Sequence, residues 1–164
     1  MKDPLERETT RGWPKVSIAC EKSSHLVVSA VVEPGPAADF GYFVPVLEQA
    51  TKNIKFDRVL ADAGYDSEKN HQYAREKLKI RSTVIPAFKR RTSGDIPLGK
   101  YRRQMTLNFP KRVYKSRSHV ECVFSRIKRI LGAGIKARKW GPQERECYLK
   151  ILTFNLMLMA GALK

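Results

Sequence analysis

The stretch Tyr114–Lys128 reads Y-K-S-R-S-H-V-E-C-V-F-S-R-I-K, and the rest of the chain is best read outward from it. Tyr114, Arg117, Glu121 and Lys128 follow one another at intervals of three, four and seven residues. On a helix turning roughly 100° per residue they fall within a stripe about 60° wide. Val113, Val120, Phe124, Ile127 and Leu131 occupy the adjoining arc. A phenol, a guanidinium, a carboxylate and an ammonium therefore line the shoulder of an apolar face in a helix expected over residues 113–131. Lys115, His119, Arg126 and Arg129 take the outward arc. The plainest reading is a solvated helix face with one i, i+4 ion pair between Arg117 and Glu121.

Around this stretch the chain is strongly basic. Its 164 residues carry 32 Lys and Arg against 16 Asp and Glu, a net charge of +16. Residues 89–150 hold 18 of those cations and only four of the acids, so one half of the chain supplies nearly all the excess. A basic half of this kind suits a polyanion, of which nucleic acid is the commonest. With 42% hydrophobic and 29% charged residues the chain is globular in composition, and its length suits one core. Cys20, Cys122 and Cys147 are widely spaced and odd in number, which points away from a disulfide framework or a zinc site and toward a reducing cytoplasm. The start of the chain lacks a signal-like apolar stretch. The apolar run 151–163 is shorter than the ~20 residues of a membrane span and is interrupted by Asn155, so no membrane association is expected.

Residues 1–14 read as a loose lead-in to a single domain over 15–164. Val16–Cys20 and Leu26–Glu33 form two β-rich runs joined by the polar turn E-K-S-S-H, a hairpin. Asp39 is placed to cap a helix running to about Thr51, with Pro45 inside it. Val59–Ala61 is a short apolar strand with Asp62 at its end. Ser67 opens a helix to about Leu78, and Ser82–Pro86 forms the next strand. Strand, helix, strand in about 30 residues is a βαβ unit with a parallel pair. Reactive groups of such sheets gather at the carboxyl ends of strands, where Asp62 lies. Residues 88–111 read as a long basic loop in which Lys89, Arg90, Arg91, Arg102 and Arg103 alternate with Phe88, Tyr101 and Phe109. That interleaving suits phosphate contact with base stacking, or else a solvated linker. A last helix is expected from Gln143 to about Leu163. Asp66 is expected in a turn or cap, and His25, His71 and His119 at the surface.

Tyr-x2-Arg-x3-Glu-x6-Lys resembles the signature of a large group of bacterial insertion-sequence transposases with an Asp-Asp-Glu catalytic triad. A-D-A-G-Y-D at 61–66 is similar to the segment around that group's second Asp. R-G-W-P-K, G-Y-D-S-E-K-N-H, Y-R-R-Q-M and L-K-I-L-T-F-N-L also resemble family segments, so the likeness covers roughly residues 11–162. The resemblance implies an α/β domain of RNase H-like type, a mixed sheet flanked by helices, and a DNA transposase that cleaves and transfers strands at transposon ends. It implies a two-metal Mg²⁺ or Mn²⁺ site with Asp62 and Glu121 as catalytic metal ligands. Tyr114, Arg117 and Lys128 would hold DNA-end phosphates, with Lys89, Arg90, Arg91, Arg102, Arg103, Arg126 and Arg129 as further DNA contacts. The partners implied are transposon-end and target DNA and a second copy of the chain in a synaptic complex, in the cytoplasm at the nucleoid.

The family's first Asp lies on a strand ahead of R-G-W-P-K, and only ten residues precede that segment here. The chain therefore reads as an N-terminally truncated catalytic part, impaired alone, with an upstream fragment able to supply the missing Asp. Two other classes are compatible with the basic composition. One is a non-catalytic DNA-binding remnant or inhibitor of transposition. The other is an unrelated RNA-binding protein, which leaves both motifs to coincidence.

Overall fold

The computed structural model describes residues 13–36, 38–87 and 96–163. In chain order its elements are β1 (Pro14–Cys20), β2 (Val27–Pro34), α1 (Phe43–Asn53), β3 (Arg58–Leu60), α2 (Glu68–Gln72), β4 (Ser82–Val84), α3 (Lys100–Leu107), α4 (Lys111–Tyr114), α5 (Ser118–Leu131) and α6 (Trp140–Met159). The protein is thus α/β, and it divides into two compact units. One takes the hairpin with α5 and α6, and the other spans Ala38–Ser118.

In the first unit β1 and β2 pair antiparallel, Val16 opposite Val32 and Ile18 opposite Ala30, with the register slipping at Ala19/Cys20. The turn between them is held by the Glu21 carboxylate. It accepts from the Ser23 hydroxyl at 2.6 Å and from the Ser23 and Ser24 amides at 3.0 and 2.6 Å, which holds its pKa down at about 2. The hairpin expected from the β-rich runs is present. Val27 and Ala30 of β2 pack with Val123 and Ile127 of α5 and Phe154 of α6 to form the core. Asn155, the polar break in the terminal apolar run, serves β2. It accepts from the Val27 amide at 2.9 Å and donates to the Val27 carbonyl at 2.8 Å, closing the backbone pairing beside the slipped register. The terminal helix starts at Trp140, three residues earlier than expected, because Pro142 falls in the first turn, where its missing N–H has no partner to lose.

In the second unit β3 and β4 run parallel, Val59 opposite Thr83, as the βαβ reading requires. Phe43 and Leu47 of α1 pack with Ala74, Ile80 and Ile85. Pro45 is accommodated because α1 begins at Phe43, after a 3₁₀ turn at Asp39–Tyr42, so the proline lies in the first helical turn. Asp39 is part of that turn rather than a side-chain cap. Its carboxylate lies against Gly64, where a Cβ would stand 2.6 Å from Asp39 Oδ2. Ser67 occupies the N-cap of α2 without a side-chain hydrogen bond to it. The helix then loosens into a π turn over Tyr73–Lys77.

Three expectations are corrected. The described strands form two separate two-stranded ladders instead of one mixed sheet. The basic segment expected as a loop contains α3, whose Tyr101 and Met105 are buried one turn apart, while strong helix formers fill the rest. The helix expected over 113–131 is broken by a 3₁₀ turn at Lys115–Arg117, so a uniform 100° phase does not carry from Tyr114 to Lys128.

His71 is not a surface residue. It is fully buried on the α2 face that continues through Ala74 and Leu78, with Nδ1 2.6 Å from Thr83 Oγ1. Burial lowers its pKa below the ordinary 6.5, against the opposing pull of Asp66. The unfolded chain therefore takes up a proton that the folded unit resists. This contribution is complete above pH 6.5 and is lost as the pH falls from 6.5 through the depressed folded value. Thermal melts across that window should show a midpoint that falls on acidification, with the slope flattened in His71→Asn. Asn155→Ala leaves both Val27 backbone groups without their partner and should cost ~2 kcal/mol in a denaturant titration.

Candidate active site

Asp62 lies two residues beyond the end of β3, where the backbone leaves the parallel pair and enters the 3₁₀ turn Ala63–Tyr65. Its side chain is half exposed. Arg117 forms a close ion pair with Oδ2, and the Tyr114 hydroxyl lies 3.5 Å from Oδ1. Tyr114 is itself steadied by Phe109, ring centre to ring centre 5.0 Å in an edge-on arrangement. Two stretches more than fifty residues apart in sequence thus meet within one unit.

Glu121 and Lys128 belong to α5 in the other unit. Both are exposed, and with Phe124, Ser125 and Arg129 they line an open hollow along the helix. Seven residues apart, they share a helix face. Arg126 is half-buried in the same unit, its guanidinium 5.7 Å above the Phe154 ring and 3.5 Å from His25 Nδ1. His25 and His119, both partly exposed, are joined ring to ring at 2.8 Å. Arg129 and, in the second unit, Arg103 are exposed. Lys89, Arg90 and Arg91 lie outside the described residues.

Arg102 has a different setting. Its guanidinium grips the buried Asp66 carboxylate through Nε at 2.9 and 3.0 Å and through Nη2 at 2.7 Å. Glu68 accepts from the Tyr101 and Arg102 amides at 3.1 and 3.0 Å, supplying the N-terminus of α3 with a carboxylate. Gly99 leaves room for it, since a Cβ there would collide with Glu68 Oε2. Asn70 donates to the Phe40 and Tyr65 carbonyls at 3.0 and 2.9 Å. The Tyr101 hydroxyl donates to Glu76 at 3.0 Å, with the Arg75 guanidinium over its ring. The segments G-Y-D-S-E-K-N-H and Y-R-R-Q-M are therefore two sides of one polar network. One signal for it was legible in the sequence. His71, Ala74 and Leu78 at i, i+3 and i+7 place the imidazole on the apolar side of its helix.

Asp62 and Glu121 offer hard oxygen donors at accessible positions, the chemistry Mg²⁺ prefers. Asp62 belongs to the second unit and Glu121 to the first. Among the described residues no group of three or more His, Cys, Asp or Glu side chains gathers at one point. Asp62 thus stands just past the carboxyl end of a parallel strand, met by a tyrosine and an arginine. The chain matches the transposase DDE domain over residues 6–156, and it belongs to that family. No solved structure matches it.

Breaking the buried Asp66–Arg102 pair strands a carboxylate inside the unit. Arg102→Ala should lower stability by about 3 kcal/mol in denaturant unfolding. DNA affinity should fall only as far as the folded fraction does. A phosphate-contact role for Arg102 would give the reverse, unchanged stability with weakened binding.

Proposed function

We propose that this chain carries out metal-dependent DNA strand cleavage and strand transfer at transposon ends. In this reading Asp62 and Glu121 hold the metal, and Tyr114, Arg117 and Lys128 hold the end phosphates. The reading is supported above all by the meeting of Asp62 with Tyr114 and Arg117, which joins the second-Asp segment to the first half of the Tyr-Arg-Glu-Lys signature. Bound as a pair, Mg²⁺ or Mn²⁺ would supply an activated attacking oxygen and a stabilised leaving oxygen. Arg117 presents a planar fork that suits a phosphate as well as it suits the carboxylate it now grips, and Lys128 supplies a point charge. The Tyr114 hydroxyl can donate to either. Arg103, Arg126 and Arg129 would extend the phosphate track, together with Lys89, Arg90 and Arg91.

The same proposal takes residues 15–164 as one RNase H-like catalytic domain behind a short lead-in. The working form is a homodimer on two DNA ends, in the cytoplasm at the nucleoid. Nicking of end-bearing DNA in Mg²⁺ or Mn²⁺ tests it. Asp62→Ala and Glu121→Ala should each lower the rate at least about a hundredfold while leaving binding in EDTA intact. Nicking indifferent to both substitutions overturns the site. Binding that persists in EDTA with no metal-dependent nicking identifies a DNA-binding remnant instead.

A further inference from the structure

Helix α6 buries one face and leaves the opposite one bare. Cys147 and Phe154 are buried, and Ile151 and Leu158 pack with Phe154 against the core of the first unit. On the other side Leu149, Leu152, Leu156 and Met159 are 54–74% exposed, with Tyr148 beside them. These five are half of the large apolar side chains exposed among the described residues. From residue 145 to 160 the exposed positions of α6 carry a single charge, Arg145, in a chain of which 29% is charged. A helix lying on a soluble core ordinarily turns a polar face outward.

The spacing of the bare residues identifies what fits them. Leu149, Leu152, Leu156 and Met159 follow at intervals of three, four and three, the a/d pattern of a helix seam, over ~15 Å of axis. The exposed positions beside them, Tyr148, Thr153 and Ala160, are uncharged. Between Leu149 and Met159 two copies can therefore approach without setting like charges against each other, although each chain is +16 overall. Arg145, one turn before Leu149, is the one exposed cation on this face and sits at its end, so nucleic acid would find no track of cations along the stripe. The stripe offers on the order of 500 Å² per copy, so a pair buries roughly 1,000 Å², the lower bound for a specific association. Because the other face of α6 is already fixed to its core, the helix does not have to form in order to pair.

We infer that the outer face of α6 is a self-association surface, on which a second copy of this chain docks seam to seam in a two-fold dimer without DNA. This deepens the homodimer part of the proposed function and is independent of the cleavage part. Sedimentation equilibrium on nuclease-treated protein at high salt tests it. A dimer is expected to persist there, because an apolar seam is not weakened by screening, whereas a DNA-bridged pair would separate. Leu152→Lys with Leu156→Lys should give a monomer with an unchanged circular dichroism melt. The milder Leu152→Ala with Leu156→Ala should weaken the dimer at least about tenfold. Leu107→Lys, at an exposed leucine on α3, should leave it intact. A monomeric wild type overturns the inference, as does a dimer that survives the double lysine variant. If the double variant still pairs on DNA ends after losing the DNA-free dimer, the seam stands as the DNA-independent contact. If wild type pairs only on DNA, the homodimer reading stands and the seam falls.

Discussion

A carboxylate with no exposed surface sets the terms for the second unit. Asp66 is charged in a place where water cannot reach it, and that is tolerable only because Arg102 closes on it with a two-pronged grip. The pair joins the segment after β3 to α3, and α3 in turn has its first amides held by Glu68, two residues beyond Asp66. Asp62 leaves its strand four residues before this anchor. Asp62 is thereby tethered close to a buried ion pair of the same unit. The stability of such a pair is a matter of geometry, since neither partner is tolerated inside alone.

Much of the architecture was legible in local pattern. The hairpin followed from two β-rich runs around a polar turn, and the parallel pair from apolar strands flanking a capped helical stretch. What escaped was decided by partners distant in sequence. Residues 100–107 looked like loop because their charges dominated. Only the docking of Tyr101 and Met105, with a cap lent by Glu68, makes them a helix. Val123 was passed over in favour of Val120 and Phe124, yet it is the α5 residue with no exposure at all. The helical phase had been carried straight through Lys115–Arg117, and the 3₁₀ turn there displaces it.

The candidate site was legible in part. Periodicity picked out Tyr114 and Arg117, and strand-end logic picked out Asp62, but no local rule says that these three share one place. Arg102 was chosen for its charge and its neighbours, and the structure gives that charge to Asp66. Charge density along a sequence counts cations without saying which of them are already committed to the protein's own acids. In this chain the commitment is uneven. Arg102, Arg117 and Lys150 are paired internally, whereas Lys128, Arg129 and Arg103 stand at the surface.

The glycine of D-A-G-Y has a consequence for reading relatives of this chain. A side chain at Gly64 would have to displace the Asp39 carboxylate, a steric demand of the folded unit that exists whether or not any phosphodiester is ever broken. A copy that had lost its chemistry but still folded would keep that residue for the same reason. Its presence reflects the packing of the scaffold, and says nothing about whether the chemistry survives.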